Sequence, residues 1–219
     1  MIQALYGLAK SANATDVDSL ASSYGSWSGI RTNHVLDMSG NFSGGDGSSR
    51  SITTAQDREL LLALRSRAEL IVVDAATARL EQYRAPKTNT SLAIFSRSGD
   101  FSKIPAVENS GKPIYLFSGN SDPKHAKNPN VVFVPVTASP FEQFLKWAKN
   151  HSIDSILLEA GPTLTKRAFE AGIVRQSAVT RTGVSSATDL TKMENPFDSE
   201  AKLISLALGS GASFSLWFH

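Results

Sequence analysis

The chain has 219 residues, of which 41% are hydrophobic and 19% charged, and its formal net charge is +2. A chain of this length can bury a full core as one domain, and so small a net charge gives no argument for a nucleic-acid partner. The sequence has no cysteine, which excludes disulfides, a thiolate nucleophile and a sulfur-ligated metal centre.

No stretch of the sequence reaches the ~18–20 apolar residues that a membrane-spanning helix needs. The N-terminal segment also lacks the basic start and long apolar run of a secretion signal. We therefore expect a cytoplasmic protein that has neither a membrane nor a nucleic-acid partner. The four histidines lie far apart in the sequence, so no metal site is expected from them.

The first third of the chain predicts a lead-in, a strand and a helix. Residues 1–29 are expected to form a short helical lead-in that ends in a Ser/Gly-rich turn. Ile30–Met38 is predicted to be a strand, and the flexible, glycine-containing stretch SGNFSGGDGSSR follows it. Thr53 or Thr54 can cap a helix that runs to about Ala68 and carries leucines at near-helical spacing.

The middle of the chain predicts alternating strands and helices. Short apolar runs rich in β-branched residues are typical of buried strands, and they occur at Leu70–Val73, Ser91–Phe95, Pro113–Phe117, Val131–Val136 and Ser155–Leu158. Two helices are expected among them, the amphipathic segment FEQFLKWAKN and Pro162–Ala171, which ends at Gly172.

The last part of the chain predicts strands alone, at Val174–Arg181, Lys202–Ala207 and Phe214–Phe218. Alternating strands and helices followed by strands favour an α/β fold. We expect a mostly parallel central sheet with helices on both faces and an antiparallel C-terminal edge. No linker divides the chain, so a single domain over residues 1–219 is expected, with a lead-in (1–29) and a core (30–219).

Three segments that directly follow predicted strands are candidate sites, because ligands of open α/β sheets bind beyond the carboxyl ends of the strands. They are Asp74–Thr77, Ser96–Ser98 and Glu159–Leu164. The third opens a helix with a Gly-Pro turn, which suits a phosphate, and the second could clamp a phosphate through Arg97 and two hydroxyls. By residue pattern alone, a capped turn at Thr77 and a tight strand-to-helix connection at Glu159–Leu164 are equally good explanations, and a segment such as Ser96–Ser98 is more often an ordinary exposed loop.

Four segments, in order, resemble the C-terminal reductase domain of the riboflavin-biosynthesis deaminase/reductase family, and most of all its stand-alone pyrimidine reductase form. The segments are IRTNHVLDMSGNFSGGDGSSRSIT, DRELLLALRSRAELIVVDAATARLEQYRAP, AIFSRSGD and ILLEAGPTLTKRAFEAGIV. They extend from about Ile30 to Val174. The resemblance implies a dihydrofolate-reductase-like fold, a homodimer and NADPH as the cofactor. It implies the reduction, by hydride transfer, of the ribosyl group of a ribosylamino-pyrimidinone 5′-phosphate to a ribityl chain.

The resemblance also implies roles for individual residues. Catalytic roles are implied for Asn33, Asp37, Ser39 and Glu159, and substrate contacts for Gly40, Ser49 and Glu81. Cofactor contacts are implied for Ala75, Ala76, Thr77, Ser96, Arg97, Ala160, Gly161, Thr163 and Leu164. Among these, Ser96 and Arg97 would hold the adenosine 2′-phosphate, and the segment from Glu159 to Leu164 would close over the diphosphate.

The sequence departs from the family pattern at several of these positions. Ser39 stands where the family has aspartate, and Asp74, Ala76 and Ala160 stand where it has glycine. A carboxylate at position 74 would repel an anionic cofactor by about 4 kcal/mol at ~4 Å and an effective dielectric of 20. If the peptide before Gly161 were cis, as in relatives, it would cost ~3–4 kcal/mol.

Three functions therefore stay open. The first is an NADPH-dependent reductase of the riboflavin pathway. The second is a non-catalytic or repurposed member of the same fold that acts as a binding or regulatory partner. The third is a reductase of another small heterocycle.

Overall fold

The computed structural model describes residues 1–120, 123–124, 127–137, 139–184, 190 and 194–219. The chain divides into two compact units. The first unit comprises Met1–Arg67 together with Gly172–His219, and the second unit comprises Ala68–Ala171. The expectation of a single domain stays a prediction. None of the helices in the described residues is long and apolar enough to cross a membrane.

In its described residues, the first unit contains five strands and three α-helices. The strands are β1 (Gln3–Tyr6), β2 (Gly29–Leu36), β8 (Val174–Thr182), β9 (Lys202–Gly209) and β10 (Ala212–Phe218). The helices are α1 (Gly7–Ser11), α2 (Val17–Ser23) and α3 (Ala55–Arg67), and a short 3-10 turn covers Ser49–Ser51.

The second unit alternates strands with helices. Its strands are β3 (Leu70–Asp74), β4 (Ser91–Phe95), β5 (Ile114–Ser118), β6 (Val131–Pro135) and β7 (Ser155–Leu158). Its helices are α4 (Ala75–Leu80), α5 (Pro105–Asn109), α6 (Pro140–Asn150) and α7 (Pro162–Glu170).

The strands of the second unit are all parallel and lie in the order β7, β3, β4, β5, β6. The interior strands are almost entirely apolar because a parallel strand covered on both faces has no side for polar residues. Helix α6 places Phe144 against Phe95 and Phe117, with ring centroids 5.3 Å apart in both pairs. Parallel strands direct all their carboxyl ends to one edge, so the turns that follow β7, β3 and β4 are neighbours.

The first unit is mainly antiparallel. Strand β10 lies between β9 and β8 and pairs antiparallel with both, while β9 also pairs with β1 and β8 pairs parallel with β2. The mostly parallel α/β class with an antiparallel C-terminal end is therefore confirmed. Gly211 (φ +72°) closes the turn between β9 and β10 in the left-handed conformation that favours glycine.

A fully buried arginine is an unusual feature of the first unit. Arg31 donates to Gln176 Oε1 from Nε (2.8 Å) and Nη2 (2.5 Å), and its guanidinium carbon lies 4.1 Å from the centroid of the Trp27 ring. Burial lowers the pKa of Arg31 to about 10. Among the described residues, this cation is solvated by neutral groups, which are the Gln176 amide oxygen, the Tyr24 carbonyl (3.0 Å from Nη2) and the Trp27 ring.

Three elements differ from the sequence-based expectations. The lead-in contains a strand, β1, because it pairs with β9, about 200 residues away in the sequence, and no local pattern reports such a pairing. Helices α4 and α5 are also additional. They have six and five residues, which is too short for the apolar periodicity that identifies a helix.

Candidate functional site

Three polar turns lie side by side at the carboxyl edge of the second unit. Strand β3 pairs with β7 on one side and with β4 on the other. The turns after these strands are Glu159–Leu164, Asp74–Thr77 and Ser96–Ser98. With neighbouring strands about 4.8 Å apart, the three turns span roughly 10 Å of sheet edge.

Asp74 joins two of these turns. Its Oδ1 accepts from the backbone N–H of Thr77 (2.8 Å), and its Oδ2 accepts from the Thr77 hydroxyl (2.8 Å) and the backbone N–H of Gly161 (2.7 Å). The first contact makes Asp74 the N-cap of α4. Through the third contact, the same carboxylate also binds the start of α7.

The two turns approach each other so closely that position 161 has no room for a side chain. A methyl group on Gly161 would lie 2.7 Å from Thr77 Oγ1 and 3.3 Å from Asp74 Oδ2. Gly161 has φ −65°, so its lack of a side chain serves this close approach rather than an unusual backbone conformation. No described peptide bond is cis, so the cost considered for a cis peptide before Gly161 does not apply, and Ala160 has no positive φ.

The Ala residues of the candidate set divide by burial. The side chains of Ala75 and Ala160 are buried, and Ala75 belongs to the apolar core of the unit. Ala76 is exposed. Only the backbone of Ala75 and Ala160 can therefore face a ligand, whereas Ala76 can present its methyl group.

In the described part of the chain, no acceptor binds the backbone N–H groups of Thr163 and Leu164 in the first turn of α7. Gly161 is the N-cap residue and provides no side-chain cap, and Pro162 occupies the first helical position. Thr163 is exposed and Leu164 half-buried. Their backbone N–H groups therefore lie where the positive end of the helix dipole favours an anion.

The turn after β4 holds Arg97 on a braced loop. The Ser96 and Ser98 hydroxyls are 3.3 Å apart, and the Asn120 side chain donates to the Ser98 carbonyl (2.7 Å). Gly99 adopts φ +75°, and a methyl group there would lie 2.7 Å from Asn120 Cβ. Arg97 itself is exposed, so its guanidinium is accessible to an anion from solvent.

Glu159 follows β7 and continues its pairing with β3, since its N–H donates to the Val72 carbonyl (2.8 Å). The hydroxyl of Tyr83, which is itself buried, donates to Glu159 Oε2. This contact orients the carboxylate. Sequence reasoning did not single out Tyr83, although it lies two residues after the candidate Glu81.

Five of the candidate residues belong to the first unit. Asn33 is half-buried on β2, Gly40 (φ +83°) lies in the turn after β2, and Ser49 begins the 3-10 turn. Asp37 accepts from the N–H of Ser39 (2.8 Å) and from Asn41. These hydrogen bonds, led by the Asn41 side chain, lower the pKa of Asp37, so it holds its own turn as a carboxylate.

A shallow depression in the second unit lies elsewhere. It is lined by residues at the amino ends of β4 and β5, including Ser91, Lys112 and Ile114. The polar turns described above lie at the carboxyl ends of the same strands. The depression is therefore separate from the candidate site.

The family of the chain follows from comparison with known proteins. The model of the RibD C-terminal domain family matches residues 36–181, about two thirds of the chain. The chain belongs to the RibD C-terminal domain family. Proteins of this family typically use NAD(P)H. No curated protein sequence matches the chain significantly.

Solved structures of the RibD type share the fold. A pyrimidine reductase-like protein from Corynebacterium diphtheriae is 18% identical with a TM-score of 0.67, covering 93% of this chain and 98% of its own. The deaminase/reductase from Thermotoga maritima is 14% identical with a TM-score of 0.69, covering 92% of this chain and 59% of its own. The dihydrofolate reductase of Enterococcus faecalis, solved with NADP(H), is 9% identical with a TM-score of 0.52, covering 87% of this chain and 95% of its own. The dihydrofolate-reductase-like fold is therefore confirmed.

The described residues fit NADPH at two places and resist it at a third. Arg97 with its two serines suits a 2′-phosphate, because a guanidinium forms charge-assisted hydrogen bonds to phosphate oxygens. The first turn of α7 suits a second phosphate. Between them, however, the N–H groups of Thr77 and Gly161 already bind the Asp74 carboxylate.

Proposed function

We propose that this RibD-family chain is an NADPH-dependent reductase that converts the ribosyl group of a ribosylamino-pyrimidinone 5′-phosphate to ribityl. The observation that carries the proposal is the row of three turns after β7, β3 and β4. Along one sheet edge it offers the exposed Arg97 guanidinium, the backbone N–H groups at the start of α7 and the Glu159 carboxylate, which Tyr83 orients. This edge is where α/β proteins bind nucleotides.

Two parts of the row would bind and orient the cofactor. Ser96 and Arg97 would hold the 2′-phosphate, which distinguishes NADPH from NADH. The N–H groups of Thr163 and Leu164 would bind a diphosphate oxygen. When bound there, NADPH supplies a hydride to the ribosyl carbon, and the residues of the chain orient it and exclude water.

Glu159 would donate or relay the proton that the ring oxygen of the substrate needs. Opening the ribosyl ring breaks its C–O bond, and the ring oxygen then needs a proton. Glu159 is the acid of the turn after β7, and Tyr83 orients its carboxylate. A positioned carboxyl group of this kind can donate or relay a proton. The catalytic roles of Asn33, Asp37 and Ser39 stay proposals, as do the substrate contacts of Gly40, Ser49 and Glu81 and a homodimer.

A second candidate function is a non-catalytic family member that acts as a binding or regulatory partner. The observation that favours it is the carboxylate of Asp74, which occupies donors at the centre of the row. A site that binds its own side chain has fewer groups left for a cofactor.

The two candidates are separated by a cofactor titration combined with an assay. The purified chain is titrated with NADPH and NADH by fluorescence, and then incubated with NADPH and the ribosylamino-pyrimidinone 5′-phosphate while NADPH consumption is followed. The reductase predicts saturable NADPH binding, weaker NADH binding and formation of the ribityl product. Absence of binding at roughly millimolar NADPH, the upper end of common KM values, would remove the reductase and leave the second candidate.

A further inference from the structure

We propose that the Asp74 carboxylate occupies the place of a phosphate group, and so determines how tightly the turns after β3 and β7 bind a phosphorylated ligand. The inference rests on the proposed function for the identity of the cofactor, but not for the presence of the internal anion. Asp74 would thus be an affinity-determining residue of the site.

The first step is the identity of the donors. Asp74 accepts from two backbone N–H groups that belong to different turns, Thr77 at 2.8 Å and Gly161 at 2.7 Å. Backbone N–H groups in tight turns are the donors that bind phosphate oxygens. A carboxylate oxygen is the same kind of acceptor, with the same sign of charge. The two anions therefore compete for the same N–H groups.

The second step is the lack of space for both anions. The single N–H of Gly161 already donates to Asp74 Oδ2 at 2.7 Å, and the Thr77 hydroxyl donates to the same oxygen at 2.8 Å. A phosphate that reaches the Gly161 N–H must displace the carboxylate. If it stays outside, it lies within a few ångströms of a like charge, and both outcomes weaken binding.

The third step is what Asp74 leaves available. It does not cap α7, whose N-cap Gly161 provides no side chain. The first turn of α7 and Arg97 can therefore still contact phosphates. We expect Asp74 to reduce affinity for a phosphorylated ligand without abolishing it.

The test is the substitution Asp74→Asn, with Asp74→Ser as a second variant. Both residues can still accept from Thr77 N–H and cap α4, which protects the fold. Neither carries a charge, and the amide –NH₂ of asparagine cannot accept from the Gly161 N–H. That group is then released to a ligand.

The matched control is Glu69→Gln. Glu69 also joins the β3 and β7 segments through backbone N–H groups, at the opposite end of the strands. The control loses the same charge but lies away from the three turns. All four proteins, including the parent, are compared by circular dichroism and then titrated with NADPH by fluorescence and with inorganic pyrophosphate by calorimetry.

The expected result is at least tenfold tighter binding of both NADPH and pyrophosphate by the Asp74 variants, with the control equal to the parent. Parent-like affinity of folded Asp74 variants for both probes would overturn the inference, while NADPH binding by the parent would keep the reductase. If no protein binds NADPH but the variants gain pyrophosphate binding, the reductase fails and the inference stands. Failure of every protein to bind either probe overturns both.

Discussion

The two ends of the β3–β7 strand pair are held by the same chemistry and serve different purposes. At the amino end, the Glu69 carboxylate accepts from the N–H groups of Asp154 (2.7 Å) and Ser155 (2.9 Å). At the carboxyl end, the Asp74 carboxylate accepts from Thr77 and Gly161. In each case one carboxylate accepts hydrogen bonds from backbone N–H groups that have no partner in the strand pairing.

The difference lies in what surrounds each carboxylate. Glu69 is exposed and has the ends of two strands beside it. Asp74 is half-buried, and its own turn opens α4 while the turn that it binds opens α7. Glu159 and Arg97 lie on the turns on either side of it. A carboxylate that only joins strands affects stability. A carboxylate at the ligand edge of a parallel sheet affects stability and competes with ligands, and substitutions at the two ends should separate these effects.

The largest expected effect is that of Glu159→Gln, at the carboxyl end. Loss of a positioned acid–base group should lower the rate of the reductase by roughly 100-fold or more. NADPH affinity should change little, because the amide keeps the size of the side chain. Single-turnover kinetics and an NADPH titration check the two parts. An unchanged rate would show that another group supplies the proton, and Tyr83→Phe should give a smaller loss of the same kind.

The next effect is that of Arg97→Ala, also at the carboxyl end. Removing a charge-assisted contact worth about 1.5–3 kcal/mol should weaken NADPH binding by roughly 10- to 100-fold. NADH, which has no 2′-phosphate, should bind as it does to the parent. Parallel titrations with the two cofactors measure this ratio, and an equal loss for both would place the 2′-phosphate elsewhere. Lys103→Ala, another lost cation in the second unit, serves as the control.

At the amino end, Glu69→Gln should lower the free energy of unfolding by about 1 kcal/mol at neutral pH, allowing for its exposure. Backbone hydrogen bonds from Ser155 and Asp154 hold the pKa of Glu69 below its usual value of 4.5. Its stabilisation is therefore present above that value and is lost as the pH falls through the lowered pKa.

Urea unfolding at several pH values measures the effect of Glu69→Gln. The parent and the variant should differ at pH 7 and converge in acid. A difference that persists or grows below the lowered pKa would contradict the assignment.

The smallest expected effect concerns backbone strain directly after α4. Gln82, directly before Tyr83, has φ +50°, a conformation that costs a non-glycine residue on the order of 1 kcal/mol. Gln82→Gly should therefore raise the stability by about 0.5 kcal/mol, since the added freedom of the unfolded chain offsets part of the gain. Thermal unfolding checks the sign. A loss of stability would mean that contacts of the Gln82 side chain outweigh the strain.

Much of this molecule follows from local patterns in the sequence. Buried parallel strands such as Leu70–Asp74 and Ser91–Phe95 consist of apolar, β-branched runs, so their positions were predicted within one or two residues. Helix α7 was predicted because Pro162 and Gly172 mark its two ends. The strand-end rule then directed attention to the three turns that the structure shows in one row.

Other features depend on tertiary contacts. The pairing of β1 with β9 joins distant segments, and the Tyr83–Glu159 hydrogen bond joins residues 76 positions apart. The capping role of Asp74 had a local signal, an aspartate three residues before Thr77 at the end of a strand. Its bond to Gly161 had none, because the distance between two turns is determined by strand pairing.

The sequence by itself determined the fold class, the family resemblance and the presence of a carboxylate where the family has glycine, since these depend on residue types and their order. Only the tertiary structure decided what that carboxylate does. Its hydrogen-bond partner lies 87 residues away, and the pairing of β3 with β7 is what brings the Asp74 side chain to the Gly161 N–H.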